Sequence, residues 1–109
     1  MDLINMIQTK QDMLDKSIKS LRTTGTEAAA TERDYKIALR TEALKLRDNG
    51  MAIGMIDKTI YGSLEIAELR FKRDVASTVW FANKEAINSI KLQIRILNDQ
   101  LSREWGNTK

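Results

Sequence analysis

Apolar residues recur every three or four positions along most of the chain, which is the pattern of amphipathic α-helices. Near the N-terminus the pattern predicts a helix over residues 2–22. Its apolar face would comprise Ile4, Ile7, Gln11, Leu14, Ile18 and Leu21. Thr23-Thr24-Gly25-Thr26 interrupts the pattern, and Thr24 with Glu27 three residues later has the form of a capping box. We therefore expect the first helix to end there and a second helix to begin near residue 26.

The second predicted helix covers residues 26–48. Its main apolar face comprises Tyr35, Ala38, Leu39, Ala43 and Leu46. Asn49-Gly50 is a typical helix stop. Residues 51–62 then form a short apolar corner flanked by glycines, in which residues 57–61 are expected to make one or two helical turns. Because apolar side chains are costly to leave in water, we expect this corner to fold back on the helices.

The last predicted helix is the longest, because residues 63–105 contain neither Gly nor Pro. Ser63 would cap it, with Glu65 in its first turn. Heptad spacing runs through the whole segment, and its densest apolar part is predicted to be an oligomer interface. The predicted interface residues are Ile87, Ile90, Ile94, Leu97 and Leu101. The alternative is that these residues form a core within one chain.

A second apolar stripe lies beside the first on this helix. It comprises Val75, Val79, Ala82 and Ala86. An apolar arc of this width predicts that the helix contacts two neighbours, one of them the chain's own second helix. Arg73 and Asn83 interrupt the main heptad pattern. They are either polar residues that set the register of packing, ligand contacts, or positions at the edge of the apolar face that are exposed to solvent.

Composition agrees with helices, since the 109 residues include no Pro and five Gly, with 30% charged and 42% hydrophobic residues. We predict an all-α fold in a single domain, residues 1–109: an antiparallel helical hairpin or coiled-coil-like bundle with one very long C-terminal helix, assembled as a homo-oligomer. The N-terminus does not resemble a signal peptide, no apolar run approaches roughly 20 residues, and Cys is absent. A soluble cytoplasmic protein without membrane contact is expected.

Residue types restrict the possible chemistry. Without His or Cys, the chain has no imidazole base, no thiolate nucleophile and no soft metal ligands. Carboxylates at helical spacing, such as Asp12 with Asp15 and Glu65 with Glu68, are explained by solvated helix faces. The sequence therefore predicts no catalytic residues, no metal, no cofactor and no enzymatic activity.

Basic residues suggest a binding function more than the overall net charge of +3 does. Residues 70–95 contain six basic residues and only two acidic ones, Asp74 and Glu85. The predicted nucleic-acid-binding residues are Arg70, Lys72, Arg73, Lys84, Lys91 and Arg95. Repeated in an oligomer, they could form a positive track for a phosphate backbone. A solvated outer face is the alternative interpretation.

Aromatic residues allow two interpretations as well. The candidates for base stacking are Phe71, Trp80, Phe81 and Trp105. Aromatics at helical spacing are more often core, and Trp80 is expected there. Residues 44–66 loosely imitate a helix-turn-helix, but the segment that would read bases begins Leu64-Glu65-Ile66-Ala67-Glu68, which is acidic and apolar.

Residues 32–39, 65–76, 85–88 and 103–105 resemble small uncharacterised helical proteins of phages and prophages of Gram-positive bacteria. That family is generally encoded near replication and recombination functions, so the resemblance implies a phage accessory protein. The stretch Ala86-Ile87-Asn88-Ser89-Ile90-Lys91 and the aromatic before it are also similar to the recombination mediators of T-even phages. This second resemblance implies that Lys84, Lys91 and Arg95 contact single-stranded DNA.

Three functions follow as hypotheses. The first is an oligomeric accessory protein that binds single-stranded nucleic acid or a recombination or replication nucleoprotein complex, with single-stranded DNA or a recombinase as partner. The second is an adaptor or inhibitor that binds a host replication or defence protein through exposed apolar surface. The third is a purely structural coiled-coil oligomer.

Overall fold

A computed structural model describes residues 2–107, all of whose secondary structure is helical. The elements are α1 (Leu3–Asp48), α2 (Ile53–Thr59), a 3₁₀ turn (Ile60–Gly62) and α3 (Leu64–Asn107). The described part of the chain contains no β-strand. The predictions of an all-α fold and of one very long C-terminal helix are confirmed, and the structure shows a long N-terminal helix packed against that helix.

The predicted break near Gly25 is wrong, because α1 continues through it from Leu3 to Asp48. One glycine inside a helix costs about 1 kcal/mol relative to alanine. Without a proline nearby, that cost is small compared with the packing that a continuous helix retains on both sides. The helices predicted over residues 2–22 and 26–48 are therefore one helix.

The ends of α1 follow from local hydrogen bonds. At the start, the carboxylate of Asp2 accepts a hydrogen bond from the backbone N–H of Asn5 at 2.7 Å, which satisfies a free helix donor. At the end, Gly50 adopts φ +88°, its N–H donates to the carbonyl of Arg47, and the N–H of Met51 donates to the carbonyl of Leu46. This is a Schellman motif, and it confirms the predicted stop at Asn49-Gly50.

The corner after α1 folds back as expected. Ile56 and Ile60 are buried, at 7% and 3% exposure. Helical structure begins at Ile53, earlier than the predicted turns over residues 57–61. Ser63 then has extended backbone, and its carbonyl accepts the hydrogen bond from the N–H of Ala67 that opens α3. The 63–105 prediction for the last helix therefore agrees with the observed one to within two residues.

The chain divides into two compact units, and both long helices contribute to each. Unit 2 is Thr24–Val79. Its core is formed by Tyr35, Ile60 and Ile66, with Ala38, Leu39, Ala43, Leu46 and Leu69 packed against it. The apolar face predicted for residues 26–48 is thereby confirmed. Full burial of each large side chain stabilises the fold by about 1.5–3 kcal/mol.

Unit 1 comprises the described parts of Met1–Thr23 and Trp80–Lys109. Its α3 segment buries Ile87 and Ile90, at 8% and 6% exposure. Asn83 donates a hydrogen bond from Nδ2 to the carbonyl of Ser17 at 3.0 Å, which links the two helices. Of the three interpretations of Asn83, the geometry favours a residue that sets the register of packing.

The apolar face predicted for the N-terminal segment is partly wrong, because Ile4, Gln11 and Ile18 are exposed. The side of α1 that is half-buried instead comprises Leu3, Ile7, Lys10, Leu14, Ser17 and Leu21. These residues continue, in steps of three and four, the side of α1 that carries Ala28 and Tyr35 in unit 2. Ser17 lies on this side and its carbonyl accepts the hydrogen bond from Asn83 of α3, so packing within unit 1 decides which side of this segment faces inward.

Candidate nucleic-acid interface

The six predicted nucleic-acid-binding cations are divided between the two units. Arg70, Lys72 and Arg73 belong to unit 2, and Lys84, Lys91 and Arg95 belong to unit 1. Each group has its own surroundings, and the two groups differ in how far their charges are already neutralised.

Arg73 is engaged within unit 2. Its guanidinium lies 4.5 Å from the centre of the Tyr35 ring, 2.8 Å from Oδ1 of Asp74 and 3.6 Å from Oε2 of Glu32. Its side chain is 24% exposed. The hydrogen bond with Asp74 raises the pKa of Arg73, so the guanidinium stays charged throughout the usual pH range. The geometry favours a structural role over a phosphate contact.

The other two cations of unit 2 are exposed. Arg70 stacks over the ring of Tyr61, with 5.7 Å between the guanidinium carbon and the ring centre. Lys72 forms no ion pair with any described residue. The same stretch of α3 also carries three acidic residues, Glu65, Glu68 and Asp74. Unit 2 therefore offers a mixed charge distribution, which is a weak attractant for a polyanion.

Unit 1 presents the more favourable arrangement. The Nζ atom of Lys84 lies 3.7 Å from the centre of the Trp80 ring, which is a close cation–π contact. Lys91 and Arg95 follow at steps of seven and four, so helical geometry places all four side chains on one side of α3. We call this set, Trp80, Lys84, Lys91 and Arg95, the basic strip. Asn88 and Asn98 have compatible spacing and are exposed.

The charge of the basic strip is only weakly opposed. Glu85 is the single acid among residues 75–98 of the sequence, against three cations. In the part of the chain that the structure describes, neither Lys91 nor Arg95 forms an ion pair. Both side chains are exposed, so a phosphate group could reach them without unfolding the unit.

The pairing of Trp80 with Lys84 was missed by the sequence reasoning, which placed Trp80 in the core. The indole is 36% exposed, so that expectation is wrong. The i, i+4 spacing of an aromatic and a lysine is the sequence signal that could have found the pair. Phe71, Phe81 and Trp105 are more exposed, at 67%, 60% and 64%.

The predicted interface residues differ in how deeply they are buried. Ile87 and Ile90 are buried in unit 1, and Ile94, Leu97 and Leu101 are half-buried. A single chain therefore covers the densest part of the heptad pattern. Their role in contacts between chains stays a prediction.

Cavities and metal-ligand clusters offer little for catalysis. A cavity of about 450 Å³ in unit 2 is lined by Leu39, Ala43, Ile56, Ile60 and Tyr61, with Lys36, Arg40 and Asp57 at its polar positions. A second cavity, of about 310 Å³, is lined by Asp34, Ile37, Ala38, Thr41, Glu42 and Glu65. Among residues 2–107 no group of three or more acidic, His or Cys side chains is arranged to hold a metal ion.

No family model matches the chain, and no curated protein or solved structure is significantly similar to it. Within the described residues, no helix has both the length and the apolar character needed to cross a membrane.

Proposed function

We propose that this protein is a non-enzymatic, phage-type accessory protein of the bacterial cytoplasm that binds single-stranded nucleic acid along the basic strip. The observation that supports this function is the combination of a partly exposed indole with three cations on one side of α3. Indole rings stack on unpaired bases of any sequence, and lysine and arginine contact the phosphates between them. The nucleic acid itself, or a nucleoprotein complex that contains it, is the partner.

The dimensions of the strip suit a short stretch of strand. At 1.5 Å rise per residue, Lys84 and Lys91 are separated by about 10 Å along the helix, and Lys91 and Arg95 by about 6 Å. Three cations on a single strand should give a slope of about −2 in a plot of log K against log salt concentration. Affinity should accordingly fall about fifteen- to twentyfold between 50 and 200 mM salt.

Fluorescence anisotropy with a labelled single-stranded oligonucleotide tests this function. Changing Lys84, Lys91 and Arg95 together to Gln should remove most of the affinity and flatten the salt slope, because the phosphate contacts are lost. Trp80→Ala should weaken binding about fivefold or more through loss of base stacking while leaving the slope nearly unchanged.

The matched control removes the same charge elsewhere in unit 1. Lys16, Lys19 and Arg103 are exposed, and changing all three to Gln should leave binding close to that of the unmodified protein. Equal losses in the two triple variants would mean that only net charge matters. No binding at low salt would reject the proposed function.

A second candidate is the adaptor or inhibitor that captures a host replication or defence protein. Exposed apolar side chains of unit 2 favour it, in particular Ile53 at 69% and Met55 at 52% exposure in α2. A pull-down from host lysate separates the candidates, because nuclease treatment should release recovered proteins only if nucleic acid bridges them.

A further inference from the structure

Helix α3 carries a second apolar side in unit 2, which is exposed to solvent, unlike its buried side. We call it the outer stripe: Leu64, Phe71, Val75 and Val79. Their exposed fractions are 78%, 67%, 46% and 50%. Steps of seven, four and four place these side chains within one quarter of the helix circumference.

The buried side of the same segment is separate from the outer stripe. Ile66 and Ala76 are buried at 1% and 8% exposure, and Leu69 packs on the core. Two separate apolar sides agree with the sequence pattern around Val75 and Val79, which predicts a helix with two neighbours. Helix α1 is the first neighbour in this unit, and the outer stripe faces the place of the second.

The exposed area matches the requirement of a self-association interface. With side-chain areas of about 150–200 Å², the outer stripe exposes about 400 Å² of apolar surface per chain. Two copies would bury about 800 Å² of apolar surface. Protein interfaces are about 60% apolar, so this apolar area corresponds to a larger total buried area. The total of about 1,300 Å² falls within the range of specific, stable protein interfaces.

The order of acidic and basic residues along α3 indicates the partner and whether the two helices pair parallel or antiparallel. The segment begins with Glu65 and Glu68 and continues with Arg70 and Lys72, all four of them exposed. Parallel pairing of two copies in register would place Glu68 beside Glu68 and Lys72 beside Lys72, whereas antiparallel pairing places Glu68 of each copy beside Lys72 of the other. The surface is thus complementary to itself.

We propose that the outer stripe pairs antiparallel with the outer stripe of a second copy of this chain, about a twofold axis level with Arg70. In this register the two Phe71 side chains meet near the axis, Leu64 of each copy lies level with Val75 to Val79 of the other, and Glu68 lies level with Lys72. None of these residues belongs to the basic strip, so the dimer does not depend on the proposed nucleic-acid binding.

Light scattering coupled to size exclusion tests the pairing on the full chain. The mass should rise from 12.4 kDa towards twice that value as protein concentration increases through the micromolar range. Changing Phe71 and Val75 together to Lys should raise the dimer dissociation constant at least about tenfold. The control pair, Ile53 and Met55 changed to Lys, lies in the same unit on exposed sites and should leave it unchanged.

Exchanging the charges of Glu68 and Lys72 tests whether the two copies pair antiparallel. Glu68→Lys or Lys72→Glu alone should weaken the dimer several-fold, and the two changes together should restore it, because the pair re-forms between copies. Far-UV circular dichroism confirms that each variant is folded. A chain that stays at 12.4 kDa throughout, a control pair that dissociates equally, or a double exchange that fails to restore the dimer overturns the proposal.

Discussion

Ile66→Ala is expected to lower the free energy of unfolding by about 3 kcal/mol, within the range of 2–5 kcal/mol seen when a large buried side chain is truncated. Ile66 is 1% exposed and packs with Tyr35 and Ile60 in the core of unit 2. Urea denaturation followed by circular dichroism measures the change. A chain of this size has a total stability of about 5–15 kcal/mol, so a substantial part of it would be lost.

The control for this prediction is the same substitution at a surface site. Ile53 is 69% exposed in α2 of the same unit, and Ile53→Ala should change the free energy of unfolding by about 0.5 kcal/mol or less. Similar losses at Ile66 and Ile53 would contradict the core described for unit 2.

Ile90→Asp should lower the free energy of unfolding more than Ile66→Ala does. Ile90 is only 6% exposed in unit 1, so the substitution places a carboxylate in the core. The expected cost is about 4 kcal/mol or more, from the lost apolar contacts and the buried charge together. Hydrogen exchange should show that amides around residue 90 lose protection at every protein concentration, because the contacts that are lost lie within one chain.

Ile96→Asp is the matched control for Ile90→Asp. Ile96 lies six residues further along α3 and is 54% exposed, so protection should be retained. If Ile90→Asp instead left the helices protected and only reduced the mass of an oligomer, then Ile90 would belong to an interface between chains, as the sequence pattern alone had suggested.

Much of the fold is predictable from local patterns. The absence of Gly and Pro from residues 63–105 agrees with one long helix, and Asn49-Gly50 correctly marks the end of α1, whereas Gly25 does not interrupt it. The inward side of the N-terminal segment was not predictable from its own residues. Two faces share the residues Ile7, Leu14 and Leu21. One of these faces also includes Ile4 and Ile18, and the other includes Lys10 and Ser17. Packing within unit 1, where Asn83 of α3 contacts the carbonyl of Ser17, decides between them.

The candidate site was only partly predictable, for a different reason. A linear sequence shows where cations are, but not which of them are neutralised by groups distant in the chain. Arg73 looks equivalent to Lys91 by spacing, yet Glu32 and Tyr35 of α1 engage Arg73 and leave it largely covered. Conversely, Trp80 fits a core pattern but lies beside Lys84 at the surface. Tertiary contacts remove Arg73 from the six candidate cations, and the acidic residues of the same stretch of α3 make Arg70 and Lys72 weaker candidates.

The N-terminal part of α1 and the C-terminal part of α3 pack against each other within a single chain, and one measurement tests this packing directly. Since the chain contains no Cys, Ser17 and Asn83 can be changed to Cys and joined with a short thiol-specific cross-linker in dilute solution. The side chain of Asn83 contacts the carbonyl of Ser17 at 3.0 Å, so cross-linked protein should run at the mass of one chain in a denaturing gel. Cross-linked product found only at the mass of two chains would contradict the account.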